Sequence, residues 1–216
     1  MTTEVLAKAR SRWSNAEGKF GLNEIGDLQV AQGLPPYTEM TRRGKGWQVI
    51  TTSAAASLVV RPDTTALITL WNGEGTGNGK SYIIDRIFSH MLVSDDLQGR
   101  FMLWACVHPR GMTKPTADIA RAATNLVGMS GLYYSGMAVV DIDATVVDNG
   151  WYPVSSSVDW EPTGVLPGAG IVANIEGRLI VPPQGGISIQ VVASMAATAT
   201  TCTGLSWYEE KLDLVL

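Results

Sequence analysis

Between Asn174 and Glu210 the apolar and polar positions alternate with a period of two. Ile187, Ile189, Val191, Ala193 and Met195 fall on one side, with Ser188, Gln190, Val192 and Ser194 on the other. Successive side chains of a strand point to opposite faces, so this pattern predicts a strand with one apolar face. The preceding run repeats it, with Ile175, Gly177, Leu179 and Val181 set against Asn174, Glu176, Arg178 and Ile180. Pro182-Pro183-Gln184-Gly185-Gly186 separates the two runs. Prolines cannot donate to a ladder and glycines tolerate positive φ, so a turn is expected there. After the small residues Ala196 to Thr201, the alternation resumes at Thr203, Leu205 and Trp207 and closes on Glu209-Glu210-Lys211. Three strands sharing one apolar face need a second layer, which predicts the edge of a sandwich.

Upstream, β-rich runs at 47–52, 57–60, 66–71, 80–93, 101–108 and 136–147 are separated by turn-forming clusters such as Arg61-Pro62-Asp63 and Asn72-Gly73-Glu74-Gly75. Many short strands with regular turn signals predict a β-sandwich or barrel. Phe101 to Val107 is continuously apolar and reads as a strand buried on both faces. Residues 81–93 fit a helical stripe as well as a strand. One short helical insertion is expected, capped near Thr116, striped by Ile119, Ala122, Ala123, Leu126 and Val127, and ended by Gly128.

Residues 1–46 differ. Val5, Ala9 and Trp13 are spaced for a short helix, and beyond them Phe20, Leu22, Ile25, Leu28 and Tyr37 stand isolated in polar sequence. Scattered apolar residues cannot build a core, so an extended N-terminal arm is expected, ordered against a neighbour. Trp13, Phe20 and Tyr37 are its candidate anchors. Arg42, Arg43 and Lys45 close the arm as a solvated linker, and the sandwich domain spans 47–216.

A 45% apolar content suffices for a core, and the net charge of −4 argues against a nucleic-acid binder. The chain holds no apolar run of membrane-spanning length, and Met1-Thr2-Thr3-Glu4 reads as a cytosolic start rather than a signal peptide. Cys106 and Cys202 lie in apolar runs and read as buried thiols.

Candidate chemistry is sparse. Glu74-Gly75-Thr76-Gly77-Asn78-Gly79-Lys80-Ser81 resembles a phosphate-binding loop, and Asp141 offers a matching acidic strand end. Glu74, however, stands where that loop needs its first Gly, and no alternation of strand and helix surrounds it. Asp141, Asp143 and Asp148 lack calcium-loop spacing, and Cys106, His108 and His90 lack zinc-finger spacing. Asp141 and Asp143 are expected on the solvent face of a strand. Ser130 lies near a nucleophile elbow, but the following Gly comes one place early. Glu209 and Glu210 point to opposite faces of a strand and cannot flank one glycosidic bond. No catalytic constellation emerges, so no enzyme activity, cofactor or metal is expected. Trp151, Tyr152 and Trp160 fall in a proline- and serine-rich stretch, read either as a loop interface or saccharide platform or as caps on the sandwich end.

The segment Val181-Pro182-Pro183-Gln184-Gly185-Gly186, followed by Ile187 to Ala193 and a strand ending Leu205-Ser206-Trp207-Tyr208-Glu209-Glu210, resembles virion proteins of tailed bacteriophages. The likeness spans 47–210 and takes in Ala66 to Gly79. It implies an all-β, jelly-roll-like sandwich acting as a trimeric cement or decoration protein. On that reading its partner is the major capsid protein, its place is the capsid surface after synthesis in the host cytoplasm, and it contacts neither membrane nor nucleic acid directly. The alternatives are a phage receptor- or carbohydrate-binding module and, remotely, a nucleotide-binding enzyme using residues 73–81.

Overall fold

The computed structural model describes residues 8–10, 17–19, 21–22, 28–29, 37–56, 58–77, 79–94, 101–117, 119–128, 134, 136–146, 150–156, 170–193 and 198–212. By its contacts the chain divides into two units, Met1–Glu39 and Met40–Leu216. In the first, β1 (Lys8–Arg10) pairs with β2 (Glu17–Lys19), and β3 (Gly21–Leu22) pairs with β4 (Leu28–Gln29), both antiparallel. Ala9 is therefore in a strand. A helix of one or two turns costs more to nucleate than it returns, whereas a ribbon satisfies the same backbone groups across two segments. Helix α1 (Thr38–Arg42) follows.

Among its described residues the second unit holds ten strands. They are β5 (Gly46–Ala56), β6 (Thr65–Asn72), β7 (Ser81–Ser94), β8 (Phe101–His108), β9 (Thr124–Asn125), β10 (Ala138–Thr145), β11 (Tyr152–Ser156), β12 (Gly170–Val181), β13 (Gly186–Ala193) and β14 (Thr198–Glu210). One sheet has the order β10-β6-β13-β8-β11 and the other β12-β7-β14-β5-β9, with antiparallel pairing throughout. The pairs β5–β14, β6–β13, β7–β12 and β8–β11 are nested, as in one long ribbon folded back at its middle. Rolling that ribbon adds the pairs β14–β7 and β13–β8 and distributes alternate strands between the sheets. This is the winding of a jelly roll.

The winding corrects the picture of the last three strands as neighbours sharing a face. β12 and β14 belong to one sheet, while β13 lies between β6 and β8 in the other. The Pro182–Gly186 link crosses between sheets, and its positive φ falls on Gln184. Gly186 answers a close approach instead: a Cβ there would lie 2.5 Å from Met112 Sδ and 3.1 Å from the Leu70 carbonyl oxygen. All eight residues of β13 are buried. Ile187 and Ile189 enter the main core with Leu70, Leu103, Ile84, Leu205 and Trp207. Ser188, on the opposite face, lies beside the smaller cluster containing Cys106, Val146 and Trp151.

Other expectations shift. Residues 81–93 form a strand. Of the strand expected at 57–60, the described residues 58–60 show an isolated parallel bridge from Leu58 to Val192. The helical insertion shrinks to a single 3-10 turn at Ala120–Ala122. Ile119 donates its N–H to the Val140 carbonyl, so this segment covers the edge of β10. Strand β11 occupies part of the proline- and serine-rich stretch expected as loop, and Pro153 lies within it. A proline without an N–H fits an edge strand, and the register slips between Pro153 and Ser155. Asp141 is buried rather than solvent-facing, and the Asp143 side chain lies outside the described residues. Neither cysteine is in a disulfide; Cys106 is buried and Cys202 half-buried.

Candidate functional site

At the end of β14 the inward phase that buries Leu205 and Trp207 also carries Glu209 inward, while Glu210 points out. Glu209 is 4% exposed. Its Oε1 accepts hydrogen bonds from Tyr134 Oη and, at 3.4 Å, from Trp207 Nε1. Its Oε2 pairs with Lys80 Nζ at 3.0 Å, and Lys80 also lies 3.9 Å from Glu74. Tyr134 accepts from the Ala138 N–H at 3.1 Å and meets the Tyr82 hydroxyl at 3.4 Å. Because its own proton goes to Glu209, Tyr82 is the donor in that contact. Trp47 packs edge-on against Tyr134 with ring centroids 4.9 Å apart. Lys45 pairs with Glu210 at the rim. Lys45, Trp47, Lys80, Tyr134, Glu209 and Glu210 line a cleft of about 350 Å³.

Burial drives the Tyr82 and Tyr134 hydroxyls well above their ordinary 10.0, with the neighbouring Tyr134 and Glu209 adding to it respectively. Burial pulls the Lys80 ammonium down, but the Glu209 hydrogen bond and the charges of Glu209, Glu74 and Glu210 outweigh it and leave its pKa raised. Every oxygen of Glu209 is occupied by a donor, so the cluster fastens elements together. It joins the end of β14 to the start of β7 and to the segment 134–138.

The glycine-rich loop carries the chain from β6 in one sheet to β7 in the other, whereas a phosphate-binding loop opens into a helix. The Gly79 N–H donates to the Gly75 carbonyl and is turned inward. Lys80 is held by two carboxylates. The loop is a clasp on the sandwich end. Behind the first sheet, Ser188 Oγ lies 2.9 Å from Thr69 Oγ1 and 2.8 Å from His108 Nε2, all three buried. Among the described residues no three His, Cys, Asp or Glu side chains are grouped to hold a metal ion. Nor, among them, is any helix long and apolar enough to cross a membrane.

The residues singled out from sequence are not brought together. Trp13, Phe20 and Trp160 lie outside the described residues. Tyr37 is half-buried and has a left-handed φ of 72° just ahead of α1. Trp151 is 3% exposed and packs beside Cys106, so it offers no platform. Tyr152, on the edge strand β11, remains 38% exposed.

Sequence reading missed an apolar end. Ala56 pairs with Thr198 and Ser94 with Ala199, so the ends of β5 and β7 lie either side of the start of β14. Val59 and Val60 follow β5, and Leu92 and Val93 lie just before the end of β7. All four are about half exposed or more, Val60 reaching 64%. The signal was the apolar run Leu58-Val59-Val60 placed where the chain cannot continue a strand.

No protein-family model matches the chain, and no curated protein does. A chain in the cryo-EM structure of Mud Crab Dicistrovirus is similar over 98% of this chain and 90% of that one, at 10% identity and a TM-score of 0.24. That likeness is too slight to argue fold or function from.

Proposed function

We propose that this chain is a virion structural protein, a cement or decoration module that binds between capsid subunits and performs no chemistry. Jelly rolls serve as capsid and as lectin domains, so the fold alone does not choose between them. The apolar end carries the reading. Val59, Val60, Leu92 and Val93 expose aliphatic surface where β5 and β7 end, on either side of the start of β14, and exposed apolar surface of this kind suits an interaction site. The major capsid protein is the partner. The chain acts as a homotrimer on the capsid surface, with residues 1–46 gripping neighbours through Trp13, Phe20 and Tyr37. Many weak contacts repeated over a symmetric lattice then sum to a stable shell.

Sedimentation of the purified chain tests this, alone and mixed with capsid shells of its own virus. A trimer of 23.1 kDa protomers that pellets with shells is expected. The paired substitution Val60→Asp and Val93→Asp should cut pelleting at least about tenfold. A chain that never pellets with shells overturns the proposal. Receptor recognition through Trp151 and Trp160 is disfavoured by the burial of Trp151.

A further inference from the structure

The outward face of the second sheet is ordered in rows across β5, β14, β7 and β12. Gln48, Ser206, Arg86 and Asn174 form a polar row. Two residues along, Ile50, Gly204, Phe88 and Val172 form an apolar one. A third row brings Cys202, His90 and Gly170 together. The glycines shape this surface. A Cβ on Gly204 would lie 2.7 Å from Phe88 Cζ, and one on Gly170 would lie 2.1 Å from His90 Nδ1. Both rings therefore lie down against the backbone of the adjoining strand. Their centroids are 6.1 Å apart and their planes tilted by 44°. Neither ring is fully buried.

We propose that this surface is a saccharide-binding platform, on which a hexopyranose stacks over Phe88 while its hydroxyls bond to Arg86, Gln48 and Asp85. The three polar groups line the same cleft of about 490 Å³ as the two rings, together with Ser206 and Tyr208. That volume suits a small ligand. Asp85 Oδ2 is steadied by Ser206 Oγ at 3.3 Å. Arg86 and Gln48 are exposed. Planar guanidinium, amide and carboxylate groups beside a flat ring match a sugar, which offers a C–H face for stacking and vicinal hydroxyls that both donate and accept. A peptide strand is disfavoured because β7 and β14 are paired on both sides and offer no backbone groups. A polyphosphate is disfavoured by the net charge of −4 and by Asp85 within the cleft.

The test screens the full chain on an array of neutral and acidic oligosaccharides and titrates any retained sugar by calorimetry. At least one sugar is expected to bind. Phe88→Ala and Arg86→Ala should each weaken it at least about tenfold, with melting temperature unchanged in the Arg86 variant. Phe88→Trp should retain binding, and Tyr152→Ala should bind as the unaltered chain does. No retained sugar at millimolar concentration overturns the proposal, as does binding that survives both Phe88→Ala and Arg86→Ala. The platform and the apolar end share no residue, so shell pelleting reports on the assembly reading separately.

Discussion

Glu209 is the residue on which most local interactions converge. Its removal leaves Tyr134, Trp207 and Lys80 without their acceptor, and breaking a buried charge pair costs several kcal/mol. Glu209→Ala is expected to destabilise the domain by about 3 kcal/mol, and Tyr134→Phe by about 1 to 2 kcal/mol, in urea denaturation. Lys80→Ala should cost less than about 1 kcal/mol, since its side chain is half exposed and exposed ion pairs contribute little. The same groups set an alkaline limit. Tyr82, Tyr134 and Lys80 all have folded-state pKa values raised above their ordinary 10.0, 10.0 and 10.5. Protons are thus held more tightly in the folded chain. The stability they contribute is complete below those ordinary values and is lost as pH rises through the folded ones. Melting temperature should therefore fall above about pH 10, and tyrosinate absorbance of these two residues should appear only with unfolding. A flat melting temperature across that range would contradict the assignment. At this scale the sequence disclosed that Glu209 and Glu210 face opposite ways. It did not disclose Tyr134, whose partner lies 75 residues further on.

At the scale of elements, strand existence was legible because alternation is a local property. Strand placement was not. Alternating residues at 187–193 satisfy either sheet equally well, so nothing local says that β13 crosses away from β12. The stripe at 119–127 matched a helix because covering the β10 edge needs Ala120 and Ala123 buried and Ile119 packed against them, whatever the backbone does. The glycines discriminate between packing and turning. A Cβ on Gly204 would come within 2.3 Å of the Val49 carbonyl oxygen, which belongs to the neighbouring strand and cannot yield. Gly204→Val should cost about 3 kcal/mol or more. Gly75 has nothing within 4 Å of such an atom, so Gly75→Ala should stay within about 0.5 kcal/mol of the unaltered chain. Equal melting temperatures for the two variants would contradict this packing.

For the whole molecule, the nested pairing of four strand couples makes a rigid body whose two ends differ. One end is clasped by ion pairs around Glu209, and the other presents Val59, Val60, Leu92 and Val93. Deleting residues 1–39, the first unit, is expected to abolish trimer formation, read as a fall in sedimenting mass, without unfolding the sandwich. An electron cryo-microscopy map of particles carrying this chain addresses assembly most directly. The account predicts sandwich density on the shell surface with the Val60 and Val93 end seated against capsid subunits. Particles that lack the chain, or that carry it with that end facing solvent, would contradict it.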